Sequence, residues 1–241
     1  MMPHNVFQLE TAAFLANRRG LIIRLGFTAL LGLPFVVIAM PLQIRLSGLS
    51  FIIIFVTFFG AAVSSVRRKR EGHYERLKVL PLPLWNIQMD MMLAGALVDF
   101  IQTGFLLVLF MVFYGTSITL GAILKISGLF ILTLVLFNAL GMMLACLVKN
   151  NSEVHLFGAL GAFILAFLSS LMPVPAAIQK WILVIDRWNP LAAMGRSLIS
   201  TAQGQTVGMH DAGVLWMLIT LVFIIIVLMR LFEGRSLNIF S

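Results

Sequence analysis

Long apolar runs separated by short polar segments dominate the chain. A transmembrane helix needs about 20 mostly apolar residues. Six runs approach or reach that length, namely Leu21–Leu42, Gly48–Val66, Met91–Tyr114, Ile126–Val148, Val154–Met172 and Ala212–Phe232. Lipid favours segments that satisfy their own backbone hydrogen bonds, so runs this long and apolar predict helices rather than barrel strands. The pattern predicts an all-α membrane protein with six transmembrane helices.

The residues ahead of the first run have a weaker pattern. Val6, Leu9 and Ala13 recur at helical spacing, and the polar residues fall mostly elsewhere. This spacing predicts an amphipathic helix within residues 1–20 that lies in the membrane interface. A cleavable signal peptide is not predicted, because the basic residues come late and precede an apolar run long enough to span the bilayer.

Composition supports a membrane setting. Hydrophobic residues make up 61% of the chain and charged residues 11%, and the mean hydropathy is +1.04. A soluble domain is about one quarter charged. The net charge of +8 does not indicate a nucleic-acid-binding domain, because the basic residues lie between apolar runs and form no continuous basic surface.

The distribution of basic residues predicts the topology. With both termini in the cytoplasm, the six spans place twelve of the 17 Lys and Arg residues inside: Arg18, Arg19, Arg24, Arg67, Arg68, Lys69, Arg70, Arg76, Lys78, Lys149, Arg230 and Arg235. The other five are outside: Arg45, Lys125, Lys180, Arg187 and Arg196. The positive-inside rule therefore predicts a multi-pass protein of the cell (inner or plasma) membrane with both termini cytoplasmic.

The polar segment between the second and third runs, residues 67–88, is the most informative loop. It opens with four basic residues, and Glu71–Leu80 then has the pattern of a short helix that Pro81 stops. One side of that helix is apolar and carries Tyr74, Leu77 and Leu80. Two kinds of cover fit that side equally well: lipid headgroups held by the basic run, and a partner protein.

Between Glu71 and Pro81 the loop reads Glu-Gly-x-x-Glu-Arg-Leu-x-x-x-Pro. At this place in a six-span chain, it resembles the permease subunits of ABC-2-type exporters. Further similar positions follow in order along the chain: Gly141, Lys149-Asn150, Ser169 to Pro173, Trp181 and Asn189-Pro190-Leu191. The resemblance covers nearly the whole chain.

The resemblance implies one transmembrane domain over residues 1–241. Its segments would be an interfacial helix (1–20), the first two spans (21–66), a coupling loop (67–88), spans three to five (89–172), an external hairpin (173–211), the last span (212–232) and a tail (233–241). The hairpin would be helical and dip back into the outer leaflet, and its residues Pro173, Trp181, Asn189 and Pro190 carry the resemblance.

The resemblance also implies partners. The loop would contain a coupling helix that docks on a cytoplasmic ABC ATPase, through Glu71, Gly72, Tyr74, Glu75, Arg76, Leu77, Leu80 and Pro81. Two permeases, identical or related, would frame the substrate path. The chain has no Gly-x-x-x-x-Gly-Lys-Ser/Thr phosphate loop, so ATP and Mg²⁺ would be bound by the ATPase and not by this chain.

Catalytic and metal sites are not predicted. The four histidines, His4, His73, His155 and His210, are scattered over termini and loops, and the chain has a single cysteine. Asp99 is the acidic residue deepest in a predicted span, with Gln102 three residues later on the same face. Two interpretations remain open for this pair: a polar element of a translocation path, and an interhelical hydrogen bond.

Two other functions compete with the exporter permease. A stand-alone secondary transporter usually has charges in several spans and repeated halves, whereas here only Asp99 is deep and no repeat is evident. An assembly or scaffold protein would have no evident use for the coupling loop. The substrate is not predicted, because one fold carries many cargoes.

Overall fold

The computed structural model describes residues 5–72, 82, 84–113, 120–148, 150–168, 176–202, 205, 208–214, 216–217 and 219–220. The helices are α1 (Val6–Ala16), α2 (Arg18–Val37), α3 (Leu42–Ile54), α4 (Gly60–Arg70), α5 (Leu84–Phe113), α6 (Leu120–Leu147), α7 (Asn151–Phe167), α8 (Ala176–Asp186) and α9 (Pro190–Ala202). A π-helical turn, Phe55–Phe59, joins α3 to α4. Over these ranges every regular element is helical, which confirms the predicted all-α class.

Within the described residues, four segments are long and apolar enough to cross a membrane: Arg18–Val37, Ser47–Arg70, Asn86–Phe110 and Ser127–Leu147. They correspond to the first four predicted spans. The fifth is represented by α7, which has 17 residues, and the predicted end of that span, 169–172, lies outside the described residues. Residues 221–232 of the sixth span also lie outside them, so six spans stay a prediction.

The boundary between the first two spans differs from the prediction. Helix α2, which forms the first span, ends at Val37 rather than Leu42, because Ile38 adopts an extended backbone with ψ 136°. Pro41, expected inside that span, is the N-cap of α3 instead. Proline has no backbone N–H to contribute to a helix and a fixed φ, so it suits a helix start better than a helix interior. Helix α3 accordingly begins at Leu42, ahead of Gly48, where the second span was predicted to begin.

Asn17 separates α1 from α2. Its backbone N–H donates to Ala13 and Phe14, which closes α1, and its side-chain Oδ1 accepts from the backbone N–H of Gly20 at 3.0 Å, which opens α2. Asparagine is a favoured N-cap because its side-chain oxygen satisfies an otherwise unpaired N–H group. The N-terminal segment is therefore a helix of its own; its position in the membrane interface stays a prediction.

The continuous helix formed by α3, the π turn and α4 is central. Of its 18 most apolar consecutive residues, 67% are buried inside the protein, compared with 17% for the corresponding residues of α2. It packs against α6 and α7, and Gly141 of α6 allows the closest approach. A Cβ atom at Gly141 would collide with the backbone oxygen of Phe58 and lie 2.9 Å from Cβ of Ala61. A larger residue would force these two helices apart.

Candidate functional site

The start of the predicted coupling loop is fixed by the end of α4. Gly72 has φ +66°, a conformation that favours glycine, and its N–H donates to the carbonyl of Lys69 at 3.3 Å. Such a glycine is a common helix terminator. The last turn carries four basic residues, which complement the negative end of the helix dipole. Glu71 forms an exposed ion pair with Arg67 at 2.7 Å.

Helix α1 contacts both ends of that loop. The Glu10 carboxylate pairs with the Arg68 guanidinium at 2.7 Å, which joins α1 to the end of α4. Val6 is buried against Ile87 and Met91, in the first turns of α5. The N-terminal helix therefore holds the two helices that lead into and out of the loop. No local sequence pattern indicates the Glu10–Arg68 pair, because its partners are 58 residues apart.

Two of the eight predicted coupling residues belong to the described part of the chain. Glu71 and Gly72 are described, whereas Tyr74, Glu75, Arg76, Leu77, Leu80 and Pro81 lie outside the described residues. The coupling helix itself therefore stays a prediction. Its two flanks, α4 and α5, are in place and are joined through α1.

Asp99 and Gln102 are both buried and both bridge helices. The Nδ2 atom of Asn138, on α6, donates to the Asp99 carboxylate at 2.6 Å. Gln102 donates through Nε2 to the hydroxyl of Thr28, on α2, at 2.8 Å. Helix α5 thus makes one polar contact with α2 and one with α6. Gly95 leaves room for the first contact, since a Cβ there would lie 2.5 Å from Oδ1 of Asn138.

Sequence reasoning missed Asn138 and Thr28. The signal that singled out Asp99 also applies to Asn138, since a polar amide within an apolar span needs a hydrogen-bond partner in protein. Thr28 gives no such signal: its hydroxyl can bond to the carbonyl four residues back, as it does to Arg24 at 2.9 Å. Whether Asp99 and Gln102 line a substrate path stays a prediction.

The predicted external hairpin contains two helices, α8 and α9. Asn189 lies in the turn between them and is buried; its Nδ2 donates to the carbonyl of Leu165 at 2.8 Å. That carbonyl is among the last four of α7, which have no partner within the helix. Pro190 begins α9, where its missing N–H costs nothing. Trp181 is 73% exposed, and Pro173 lies outside the described residues.

A cluster of charged side chains, which the sequence analysis did not predict, stabilises this hairpin. The Arg196 guanidinium pairs with Asp186 at 2.5 Å and with Asp211 at 2.8 Å. His210 contacts the backbone carbonyl of Arg187 at 2.8 Å. Burial lowers the pKa of Arg196, but the two carboxylates outweigh it and raise that pKa above its usual value. The cluster joins both helices of the hairpin to the segment ahead of the predicted last span.

The described residues contain no group of three or more His, Cys, Asp or Glu side chains that could hold a metal ion. The site therefore consists of helix contacts around a loop, interhelical polar pairs and an anchored hairpin.

Comparison with known proteins assigns the chain to a family. No curated protein and no solved structure matches the chain significantly. The family model described as ABC-2 type transporter matches residues 6–202, which include both flanks of the loop, the polar pairs and α8–α9. The chain is a multi-pass membrane protein that belongs to the ABC-2 type transporter family, as its membrane permease component.

Proposed function

We propose that the chain is the membrane-spanning subunit of an ATP-driven exporter and works as a dimer with a separate cytoplasmic ATPase. The family match over residues 6–202 is the observation that carries this proposal, since ABC-2 permeases typically work with ABC ATPase partners. The missing phosphate loop fits this arrangement, because ATP-driven transport by this chain requires an ATPase on another chain. ATP and Mg²⁺ are bound by that partner.

The coupling surface is the loop between α4 and α5, with Glu71 and Gly72 at its start. A force applied to this loop by the ATPase reaches both flanking helices. The Glu10–Arg68 pair and the Val6 contact with Ile87 support this, because α1 ties those two helices together. Helix α5 in turn contacts α2 through Gln102 and α6 through Asp99, so its movement is passed to two further helices.

The substrate path lies between two permease copies, identical or related. Exposed apolar side chains on α2, among them Ile22, Ile23 and Leu30, leave a broad surface for lipid or for a second copy. Both termini and the loop after α4 are cytoplasmic in the cell membrane, and the α8–α9 hairpin is on the external side. The basic cluster at the end of α4 supports this orientation.

Copurification tests the ATPase partnership. The permease, isolated in mild detergent from its native membrane, should retain a cytoplasmic ATPase that carries a phosphate loop. The turnover of that ATPase should change when the permease is present. Transport by the permease alone in pure liposomes, with no ATPase, would contradict the proposal and favour a stand-alone secondary transporter.

Glu75→Arg tests the loop directly. Reversing a partly buried charge at a docking contact costs on the order of 2–5 kcal/mol, whereas a solvated surface substitution stays within about 0.5 kcal/mol. We expect Glu75→Arg to insert normally but to abolish or uncouple export, and Lys78→Ala, at a position expected to face solvent, to have little effect. Export and substrate-stimulated ATPase activity are measured at matched expression. Export at the native rate by Glu75→Arg would rule out this helix as the coupling element.

A further inference from the structure

Helix α8 has one buried face and one exposed apolar face. Ile182 and Asp186 are buried, and Asn189 just after the helix is buried with them. On the other side Trp181 is 73% exposed, Val184 61% and Trp188 60%. Trp181 and Val184 are three residues apart on α8 and share one face, and Trp188 follows in the hydrogen-bonded turn that continues the helix. An exposed apolar face with two indole rings, in a membrane protein, needs a cover other than water.

The length and position of α8 limit what that cover can be. With 11 residues the helix is about 16 Å long, roughly half of the 30 Å hydrocarbon core. The Asn189 bond to the carbonyl of Leu165 places the end of α8 beside the end of α7. With α7 crossing the bilayer, as the sequence predicts, the apolar face is at the edge of the bilayer, where tryptophan rings are enriched because one side is apolar and the N–H group is polar.

The charges on α8 divide between the same two sides. Residues 176–189, all described, contain three ionisable side chains: Lys180, Asp186 and Arg187. The acid is buried and paired with Arg196, whereas both cations are exposed. Lys180 lies on α8 and Arg187 in the turn just after it, and each directly precedes one of the two tryptophans in the chain. The exposed surface of α8 is apolar with a cationic border and no exposed carboxylate.

We propose that this surface of α8 binds the bilayer at the C-terminal end of α7, and that Lys180 and Arg187 select anionic phospholipid headgroups there. The indole rings of Trp181 and Trp188 lie at the boundary between headgroups and acyl chains, and the two long cationic side chains reach the lipid phosphates. Each cation near an anionic membrane surface strengthens binding to that surface about fivefold. The proposed topology makes this leaflet the outer one, but the lipid contact depends neither on that assignment nor on the ATPase.

Tryptophan quenching by brominated lipid tests the contact. The full-length permease carries Trp85→Phe and Trp216→Phe, so that emission comes from Trp181 and Trp188. It is reconstituted in vesicles of equimolar phosphatidylcholine and phosphatidylglycerol, with bromine on the acyl chains of one lipid or of the other. Because only the label moves between samples, bilayer composition stays constant. We expect brominated phosphatidylglycerol to quench clearly more than brominated phosphatidylcholine.

The variant Lys180→Gln/Arg187→Gln should equalise the two lipids while quenching by either persists. The control Arg19→Gln/Arg70→Gln removes two exposed cations elsewhere and should keep the preference. High salt should reduce the preference of the unaltered chain, which tests the same point without a substitution. Equal quenching by both lipids, or a preference that survives Lys180→Gln/Arg187→Gln, would overturn headgroup selection. Absence of quenching by either lipid would overturn the proposal as a whole and indicate that protein, such as a second copy of the chain, covers the face.

Discussion

Asp99 lies where a carboxylate is costly, in the apolar part of a transmembrane helix. Its hydrogen bond from Asn138 lies between α5 and α6, and Gln102 makes the equivalent contact between α5 and α2. Hydrogen bonds of this kind hold helices together in lipid, where helix association has little hydrophobic driving force. The geometry gives Asp99 a structural role, and a role in transport is a separate question that substitution can answer.

Asp99→Asn and Asp99→Leu separate the two roles. Asparagine keeps an oxygen that can accept from Asn138, so the free energy of unfolding should change by less than about 1 kcal/mol. Leucine leaves the Asn138 amide buried without that acceptor and should cost about 1–3 kcal/mol. Reversible unfolding in mixed micelles measures both. We expect Asp99→Asn to keep transport; loss of transport at unchanged stability would instead assign Asp99 to the substrate path.

Gly141 is a second residue whose identity follows from a helix contact. Gly141→Ala places a Cβ against the backbone oxygen of Phe58 and 3.1 Å from the backbone nitrogen of Ala62. Backbone atoms cannot swing aside, so the free energy of unfolding should fall by about 1–3 kcal/mol. Gly128→Ala in the same helix is the control, because nothing lies within 4 Å of its added Cβ. That variant should be neutral or gain up to about 1 kcal/mol from helix propensity; equal effects of the two changes would contradict the close packing.

At the scale of elements, α1 joins the two helices that flank the predicted coupling loop, α4 and α5. Glu10 is 10% exposed and Arg68 26%, so the pair is less screened than an ordinary surface ion pair. In a double-mutant cycle of Glu10→Gln and Arg68→Gln, we expect a coupling energy of about 1–2 kcal/mol. Each single variant should also lower permease-stimulated ATPase activity, and the double variant should be little worse than either single one. Strictly additive effects would mean that the pair does not join α1 to α4.

The α8–α9 hairpin depends on Arg196 in a similar way. Arg196→Gln leaves the carboxylates of Asp186 and Asp211, which are 10% and 13% exposed, without their cation. A fully buried pair costs about 3–5 kcal/mol to break; since the Arg196 side chain is 34% exposed, we expect about 1–3 kcal/mol. Hydrogen exchange should rise over residues 190–202. The control is Arg187→Gln, whose side chain is exposed; an equal rise there would exclude the charge cluster as the cause.

For the whole molecule, hydropathy alone predicted the class and the first four spans, because the cost of unpaired backbone in lipid constrains every spanning segment. Hydropathy predicts the ends of the helices less well: it includes Pro41 in the first span, although Pro41 caps the next helix. Neither the Glu10–Arg68 pair nor the Arg196 cluster could be predicted from the sequence, because both join residues that only the tertiary fold brings together. Asn138 could have been predicted as a hydrogen-bonding residue, because it is an amide within an apolar run.

Topology is the remaining property of the whole chain, and two engineered cysteines can establish it. Arg70 and Gln205 are exposed, and the chain between them includes α5, α6 and α7. If these three helices cross the bilayer and the α8–α9 hairpin returns to the side it left, the two residues face opposite sides. The basic cluster at Arg67–Arg70 predicts that its own side faces the cytoplasm. In a Cys146→Ser background, which removes the one native thiol, an impermeant thiol reagent added to intact cells should label Gln205→Cys only. Arg70→Cys should react only after permeabilisation, and its labelling in intact cells would reverse the orientation and place the coupling loop where no cytoplasmic ATPase could reach it.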